Sequence, residues 1–289
     1  MKLFNYIFAA LLLSAVVMSC KKEYETIETL DARNIQEYIK ANGLTMQQYE
    51  NTGIYYQVII PGTGAEMNYS DQIPSIYSIR SLDGKYVDTD SLKLGNRVYS
   101  YLGYYNPEGI RLVLKEVLKN RGGSVRVIIP SRLAFGKKGS GNIPGNASLD
   151  FIVKTLDETK LPEYDDLSIN KYLQANSLTG FTKSASGLYY KIADAGTGSP
   201  ITVDSVITAE YTGKLLNGSV FDQTSTGAGA TFRLSDLVEG WKESVPLIKQ
   251  GGTIRIIVPS KLGYGLPGST AVPPFSSLDF NIKVTNVSQ

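Results

Sequence analysis

Gly251-Gly-Thr-Ile-Arg-Ile-Ile-Val-Pro259 is the stretch on which the fold turns. Two glycines interrupt the chain, six residues rich in β-branched side chains follow, and a proline closes the run. That pattern reads as one strand between two turns. The stretch has an earlier copy, Gly122-Gly-Ser-Val-Arg-Val-Ile-Ile-Pro130. Working outward, Gly187-Leu-Tyr-Tyr190 and Gly196-Thr-Gly198 repeat Gly53-Ile-Tyr-Tyr56 and Gly62-Thr-Gly64, and Ser277-Leu-Asp-Phe280 repeats Ser148-Leu-Asp-Phe151. The offset is 134 from Gly53 to Gly187 and 129 from Gly122 to Gly251, so the first copy carries five extra residues between Asp88 and Gly122. The period is far too long for a solenoid. Each copy has the size of an ordinary domain. The 289 residues therefore hold one fold twice.

Within each copy, strands outnumber helices. Tyr55–Ile60, Tyr189–Ile192 and Val203–Tyr211 are aromatic and β-branched. Leu278-Asp-Phe-Asn-Ile-Lys-Val284 alternates apolar and polar, as a half-buried strand does. Leu237 to Lys249 is expected as one helix. A helix is also expected at the front of each copy. Asn34 to Gly43 puts Ile35, Tyr38 and Ile39 on one face, with Asn34 capping and Gly43 ending it. Ser168 to Asn176 does the same with Ile169, Tyr172 and Leu173. That face can pack on the domain's own sheet or serve dimerisation. The expected class is α+β, an antiparallel sheet wrapped over a short helix, used twice. Asp157 to Asp166 is charged and broken by Pro162, and reads as the connector.

Composition narrows the chemistry. Lys and Arg number 29 against 27 Asp and Glu, with no basic run, so nucleic acid is not an expected partner. There is no histidine, which removes the commonest general base and neutral metal ligand and every Ser-His-Asp or Cys-His arrangement. No carboxylate cluster has calcium-loop spacing and no glycine-rich loop has a phosphate-binding pattern. Neither metal nor cofactor is expected.

The single cysteine, Cys20, forbids an intramolecular disulfide. Lys2 precedes an apolar stretch from Leu3 to Met18, and small residues lead into Cys20, which is the layout of an export signal. Val17-Met-Ser-Cys20 looks like the cleavage box of bacterial lipoproteins, whose cysteine becomes the lipidated first residue. An ordinary signal peptide or an uncleaved anchor would share the apolar run, which is short against the roughly 20 residues of a spanning helix. Residues 1–19 then form the signal and 20–33 a charged tether. Several acyl chains on Cys20 would anchor the protein in the cell envelope, at the outer membrane or the periplasmic side.

The second copy carries Tyr211-Thr-Gly-Lys-Leu-Leu-Asn-Gly-Ser-Val-Phe-Asp222, then Phe232, Leu237-Val-Glu-Gly-Trp241, Leu262-Gly-Tyr-Gly265, Val272-Pro-Pro274 and Phe280. Singly, an aromatic at a strand position such as Phe232 or Phe280 reads as core, Trp241 beside a glycine at a helix start less so. In this order and spacing they resemble the FKBP-type peptidyl-prolyl cis-trans isomerases, over about Gly187 to Val287 and more weakly over about Gly53 to Thr155. The resemblance implies a proline pocket with Trp241 as floor and Tyr211, Phe221, Phe232, Val238, Val272 and Phe280 as walls, Leu237 joining the substrate-binding set. It implies that the Val238 backbone N–H and the Tyr264 hydroxyl reach substrate carbonyls, and that Asp222 hydrogen-bonds within the wall, to Tyr211. It also implies proline-containing peptides or unfolded exported proteins as partners, and a macrolide as a ligand. Such an activity transfers no proton, so a chain without histidine suits it.

The first copy departs from that pattern. Tyr77 aligns with Tyr211, Asp88 with Asp222, Ile143 with Val272 and Phe151 with Phe280, but Val87 stands for Phe221, Phe135 for Tyr264 and Gly145 for Pro274. Ile110 or Leu112 stands near the place of Trp241. The expected layout is a degenerate domain over residues 34–156, a linker over 157–167 and an isomerase domain over 168–289. The alternative is a non-catalytic chaperone or a lipoprotein that binds peptide or glycan. Tyr99, Tyr101, Tyr104 and Tyr105 in the insertion could bind such a ligand if exposed as a group.

Overall fold

The computed structural model describes residues 25–87, 96–225 and 227–288. Cys20, the apolar leader and Asp88 lie outside the described residues. In the first domain, helix α1 (Ile27–Ala41) is followed by strands β1 (Gln47–Tyr49), β2 (Ile54–Ile60), β3 (Gln72–Ser81) and β4 (Asn96–Tyr101). Helix α2 (Glu108–Leu112) and strands β5 (Ser124–Ile129) and β6 (Leu149–Thr155) complete it. Helix α3 (Leu161–Ala175) opens the second domain, with β7 (Thr182–Lys183), β8 (Tyr189–Asp194), β9 (Val206–Leu215), β10 (Val220–Gln223) and β11 (Ala230–Arg233). Helix α4 (Glu239–Ser244), β12 (Thr253–Val258) and β13 (Leu278–Ser288) follow. Every strand pairing is antiparallel, and the order β1-β2-β5-β6-β3-β4 of the first sheet recurs as β7-β8-β12-β13-β9-β11 in the second. The two-glycine strands β5 and β12 lie inside their sheets and are buried at most positions.

The helical expectations need correction at their starts. Thr26, not Asn34, caps α1, its hydroxyl accepting from the Thr29 N–H. The helix thus begins inside the segment read as tether, and α3 begins inside the segment read as linker, with Pro162 in its first turn. Both early turns carry a buried aspartate. Asp31 accepts from the Ser131 N–H at 2.8 Å, the Ser131 hydroxyl at 2.7 Å and the Ser148 hydroxyl at 2.8 Å. Asp165 accepts from Ser260 and Ser277 in the same pattern. Ile35 and Ile169 are buried, and the Tyr38 and Tyr172 hydroxyls donate to Asp150 and Asp279, which Arg126 and Arg255 also grip. The helix face therefore packs on its own sheet. The run expected as one helix from Leu237 to Lys249 is shorter: α4 gives way at Val245 to a 3₁₀ turn containing Pro246.

The two domains touch through Phe275, which is fully buried against Ile76 and Leu156 of the first domain, with Leu161 and Tyr164 of α3 beside it. The Arg97 guanidinium lies 5.7 Å from the Phe275 ring and 5.9 Å from that of Tyr164.

Candidate functional site

In the second domain, Trp241 is placed by α4, whose N-terminus is pressed onto β12. A Cβ on Gly240 would come within 2.7 Å of Val258, so only glycine lets the helix approach and seat the indole. The indole is 3% exposed. Tyr211 of β9 stands 5.3 Å from it at 88°, Phe280 of β13 5.5 Å at 86° and Phe232 of β11 6.4 Å at 71°. Phe221 of β10 then meets Phe280 at 5.5 Å and Tyr264 at 6.3 Å, both edge-on. Such edge-to-face pairs each add about 0.5–1.5 kcal/mol beyond area burial. Burial grades outward: Trp241, Phe280 and Val272 are buried, Tyr211, Phe221, Phe232, Leu237 and Val238 are half-buried, and Tyr264 is exposed at the rim. All ten residues named from the sequence for this site fall in this cluster or on its rim.

The polar part is one pair. The Tyr211 hydroxyl donates to Asp222 Oδ2 at 2.5 Å. Burial first, and then the hydrogen bond that the protonated phenol donates to the Asp222 carboxylate, push the Tyr211 phenol above its ordinary value of 10.0. Burial, then the Asp222 charge, raises the Tyr264 phenol as well. Both phenols therefore keep their protons further into the alkaline range than a free phenol does. Among the described residues, no group of three or more His, Cys, Asp or Glu could hold a metal ion.

One site residue escapes sequence reasoning. Gly213 of β9 faces Phe280 across the sheet, and a Cβ there would come within 2.8 Å of both the Phe221 and the Phe280 rings. Its signal is its contrast with the first copy. The pairings Ile79↔Phe151 and Gly213↔Phe280 make Ile79 its counterpart.

The same registers settle the other counterparts. Ser100 pairs with Ile73 where Phe232 pairs with Ile207, so a third ring, Phe232, is replaced, by Ser100. Pro107 and Val238 are the N-caps of α2 and α4, which puts Ile110, not Leu112, in the place of Trp241. A Cβ on Gly109 would come within 2.7 Å of Ile129, just as one on Gly240 would of Val258. Val87 bridges Arg80, is 47% exposed and is not among the described residues that line the first domain's cavity. The tyrosines of the insertion do not form an exposed cluster. Tyr105 is buried, its hydroxyl donating to the Ile73 carbonyl and Ser75, and Tyr99 packs at the domain junction. Tyr104 and Tyr101 are the exposed members.

The sequence model of the family described as FKBP-type peptidyl-prolyl cis-trans isomerase matches residues 68–156 and again 198–285. A probable FKBP-type peptidyl-prolyl cis-trans isomerase of Haemophilus influenzae is 42% identical over 105 residues, covering 36% of this chain and 44% of the relative. The outer membrane protein MIP of Legionella longbeachae is 42% identical over 122 residues, covering 41% and 52%. The crystal structure of FkpA from Escherichia coli superposes with a TM-score of 0.41 at 30% identity, covering 45% of this chain and 62% of that one. The chain spans about half the length of the curated relatives it matches. With both domains matched and more than half of its residues inside the matches, the chain belongs to the FKBP-type peptidyl-prolyl cis-trans isomerase family.

Proposed function

We propose that the second domain isomerises X–Pro bonds of exported polypeptides in the bacterial cell envelope, and that the first domain is not a prolyl isomerase. The observation that supports this most is the graded ring cluster around Trp241, closed by the Tyr211–Asp222 pair. The reaction is rotation about a C–N bond whose partial double-bond character sets a barrier of about 18–20 kcal/mol. X–Pro is the one peptide bond with an accessible cis state. The planar amide separates charge and the twisted one less so. A buried apolar floor solvates the planar form poorly, so a pocket that holds the twisted form better than either planar form lowers the barrier by differential binding. Trp241, Phe221 and Phe280 supply shape and low polarity. The Tyr264 hydroxyl and the Val238 N–H, at the cap of α4, hold the peptide carbonyls. Asp222 fixes the Tyr211 ring. The family suggests a macrolide as a competitor for the same site.

Location follows from the leader and Cys20, which suggest lipid anchoring, and from the relative named an outer membrane protein. No helix among the described residues is long and apolar enough to cross a membrane.

The test uses the full chain with Trp241→Ile, which installs the first domain's residue. A protease-coupled assay on a short X–Pro peptide should show kcat/KM down about 100-fold, which corresponds to about 2.7 kcal/mol of lost transition-state stabilisation. Native-like circular dichroism must accompany that loss. Wild-type protein without any rate enhancement would overturn the reading in favour of a non-catalytic chaperone.

A further inference from the structure

The first domain holds a cavity of about 460 Å³ where the second domain has its rings. Its walls are the second domain's frame with parts removed. Tyr77 and Phe151, the counterparts of Tyr211 and Phe280, remain, with ring centroids 6.4 Å apart at 44°. The indole that would stand beside both is absent, because Ile110 occupies its place on α2. Ser100 stands for Phe232 and widens the same space.

We propose that this cavity binds a neutral aromatic side chain of a polypeptide, phenylalanine or tryptophan and not proline. Three features carry the assignment. The first is what is missing: Ile110 puts no ring where Trp241 stands beside Tyr211 and Phe280 in the second domain, and a guest ring would take that place. Apolar cavities left where a large side chain is lacking accept aromatic guests in this way. The second is charge. Among the described residues, no Asp, Glu, Lys or Arg lines the cavity, so none of them offers a phosphate, carboxylate or ammonium group a counter-charge. The third is the grading of polarity. The deep wall of Ile79, Ile110, Phe151 and Val153 is 2–6% exposed and apolar, whereas Asn106, Ser140 and Asn142 sit at the exposed rim. A saccharide would bring hydroxyls to that deep wall, whose four side chains carry no hydrogen-bonding group. An inserted side chain instead leaves its backbone at the rim, where amides and a hydroxyl can meet it. Tyr104, 74% exposed and also lining the mouth, can lie against the guest ring. The volume lies within the 300–1,000 Å³ typical of ligand pockets, with room for one large ring and part of its neighbours.

The first domain would therefore hold unfolded chains at exposed aromatic residues. This claim is independent of catalysis in the second domain.

Blocked pentapeptides Ala-Ala-X-Ala-Ala, with X = Phe, Trp, Leu or Pro, titrated into the full chain test it. The readout is the methyl NMR signals of Ile79, Ile110 and Ile143. The Phe and Trp peptides should give saturable shifts with dissociation constants on the order of 1 mM, about tenfold tighter than the Leu peptide. The Pro peptide should leave these methyls unmoved. Ile110→Trp refills the gap and should abolish the shifts. Tyr104→Ala, exposed and safe for folding, should weaken binding about threefold if Ile110→Trp fails to fold. The assignment is overturned by no saturable shift, by equal binding of the Leu peptide, by preference for the Pro peptide, or by a neutral oligosaccharide shifting these methyls where the peptides do not.

Discussion

The two domains share a sheet order, a pair of helix clasps and a strand register, and differ in a handful of side chains at one end of the sheet. The second domain places Trp241 against Tyr211, Phe232 and Phe280. The first keeps Tyr77 and Phe151 around Ile110 and Ser100. The five extra residues of the first domain fall between registers and not within them. Two lie between Asp88 and Ser100, one is Asn106, and two lie between α2 and Gly122, where the chain passes through a π-helical turn, Val113–Leu118. The difference teaches that the fold is held by strand pairing and the buried clasps. The ring set rides on that frame and can be dismantled without loosening it.

The largest effect should come from exchanging the floors. Trp241→Ile should cost the second domain about 100-fold in kcat/KM. Ile110→Trp should close the first domain's cavity without creating activity, because Ser100 and Val87 leave two walls missing. Prolyl isomerase activity of a Trp241→Ile, Ile110→Trp double variant above that of Trp241→Ile alone would break the comparison, since the floor alone would then suffice.

The duplication, the strand-rich class and the ring series were all legible, because they depend on residue type and spacing. The helix starts were not. Asp31 and Asp165 lie in charged, aperiodic stretches, and an aspartate there reads as solvated because buried aspartates are rare without partners. Their partners, Ser131 with Ser148 and Ser260 with Ser277, lie about 100 residues away and carry no local signal. Tyr105 likewise hides in a run of exposed-looking tyrosines, and only the fold shows it buried with its hydroxyl on the Ile73 carbonyl of β3. Gly213 looks like an ordinary turn glycine until Phe221 and Phe280 are seen on either side of it.

The clasps supply the next prediction, because here the two domains should behave alike. Asp165→Ala removes the acceptor of three buried hydrogen bonds and leaves the Ser260 N–H without it. The cost should be about 2–4 kcal/mol of second-domain stability, and Asp31→Ala should cost the first domain a similar amount. Urea unfolding followed by Trp241 fluorescence reports the second domain, since the lone tryptophan is there. Asp165→Ala should shift that transition, and Asp31→Ala should leave it near wild type. Equal shifts from both would show the Phe275 junction to couple the domains into one cooperative unit.

A smaller effect is expected at Gly213. Gly213→Ala puts a methyl into the Phe221 and Phe280 rings at 2.8 Å. The Phe221 ring, at the half-exposed wall, should yield first. We expect about a fivefold fall in kcat/KM with little change in melting temperature. The reverse change, Ile79→Gly, should enlarge the first domain's cavity and weaken its grip on an aromatic guest. An unaltered rate for Gly213→Ala would remove Phe221 from the catalytic wall.

The smallest effect is the response to pH, where the expected result is no response over a wide range. With no histidine, carboxylates titrate below the neutral region and phenols above it. The isomerase rate should be flat from about pH 6 to about pH 9. Above that, the two domains meet the same force. Burial raises the Tyr211 phenol in the second, and burial pushes the Tyr105 phenol up to about 12 in the first. The unfolded phenol ionises near its ordinary 10.0 while the folded one keeps its proton. The stability held in these protonated phenols is therefore complete below about pH 10 and is lost as pH rises through the raised folded values. Alkaline melting should track loss of activity in wild type, and Tyr211→Phe should delay the second domain's share. Tyr105→Phe should act on the first domain alone. A bell-shaped rate profile near neutrality would demand groups that titrate there, whereas the polar side chains of the ring cluster are one carboxylate and two phenols.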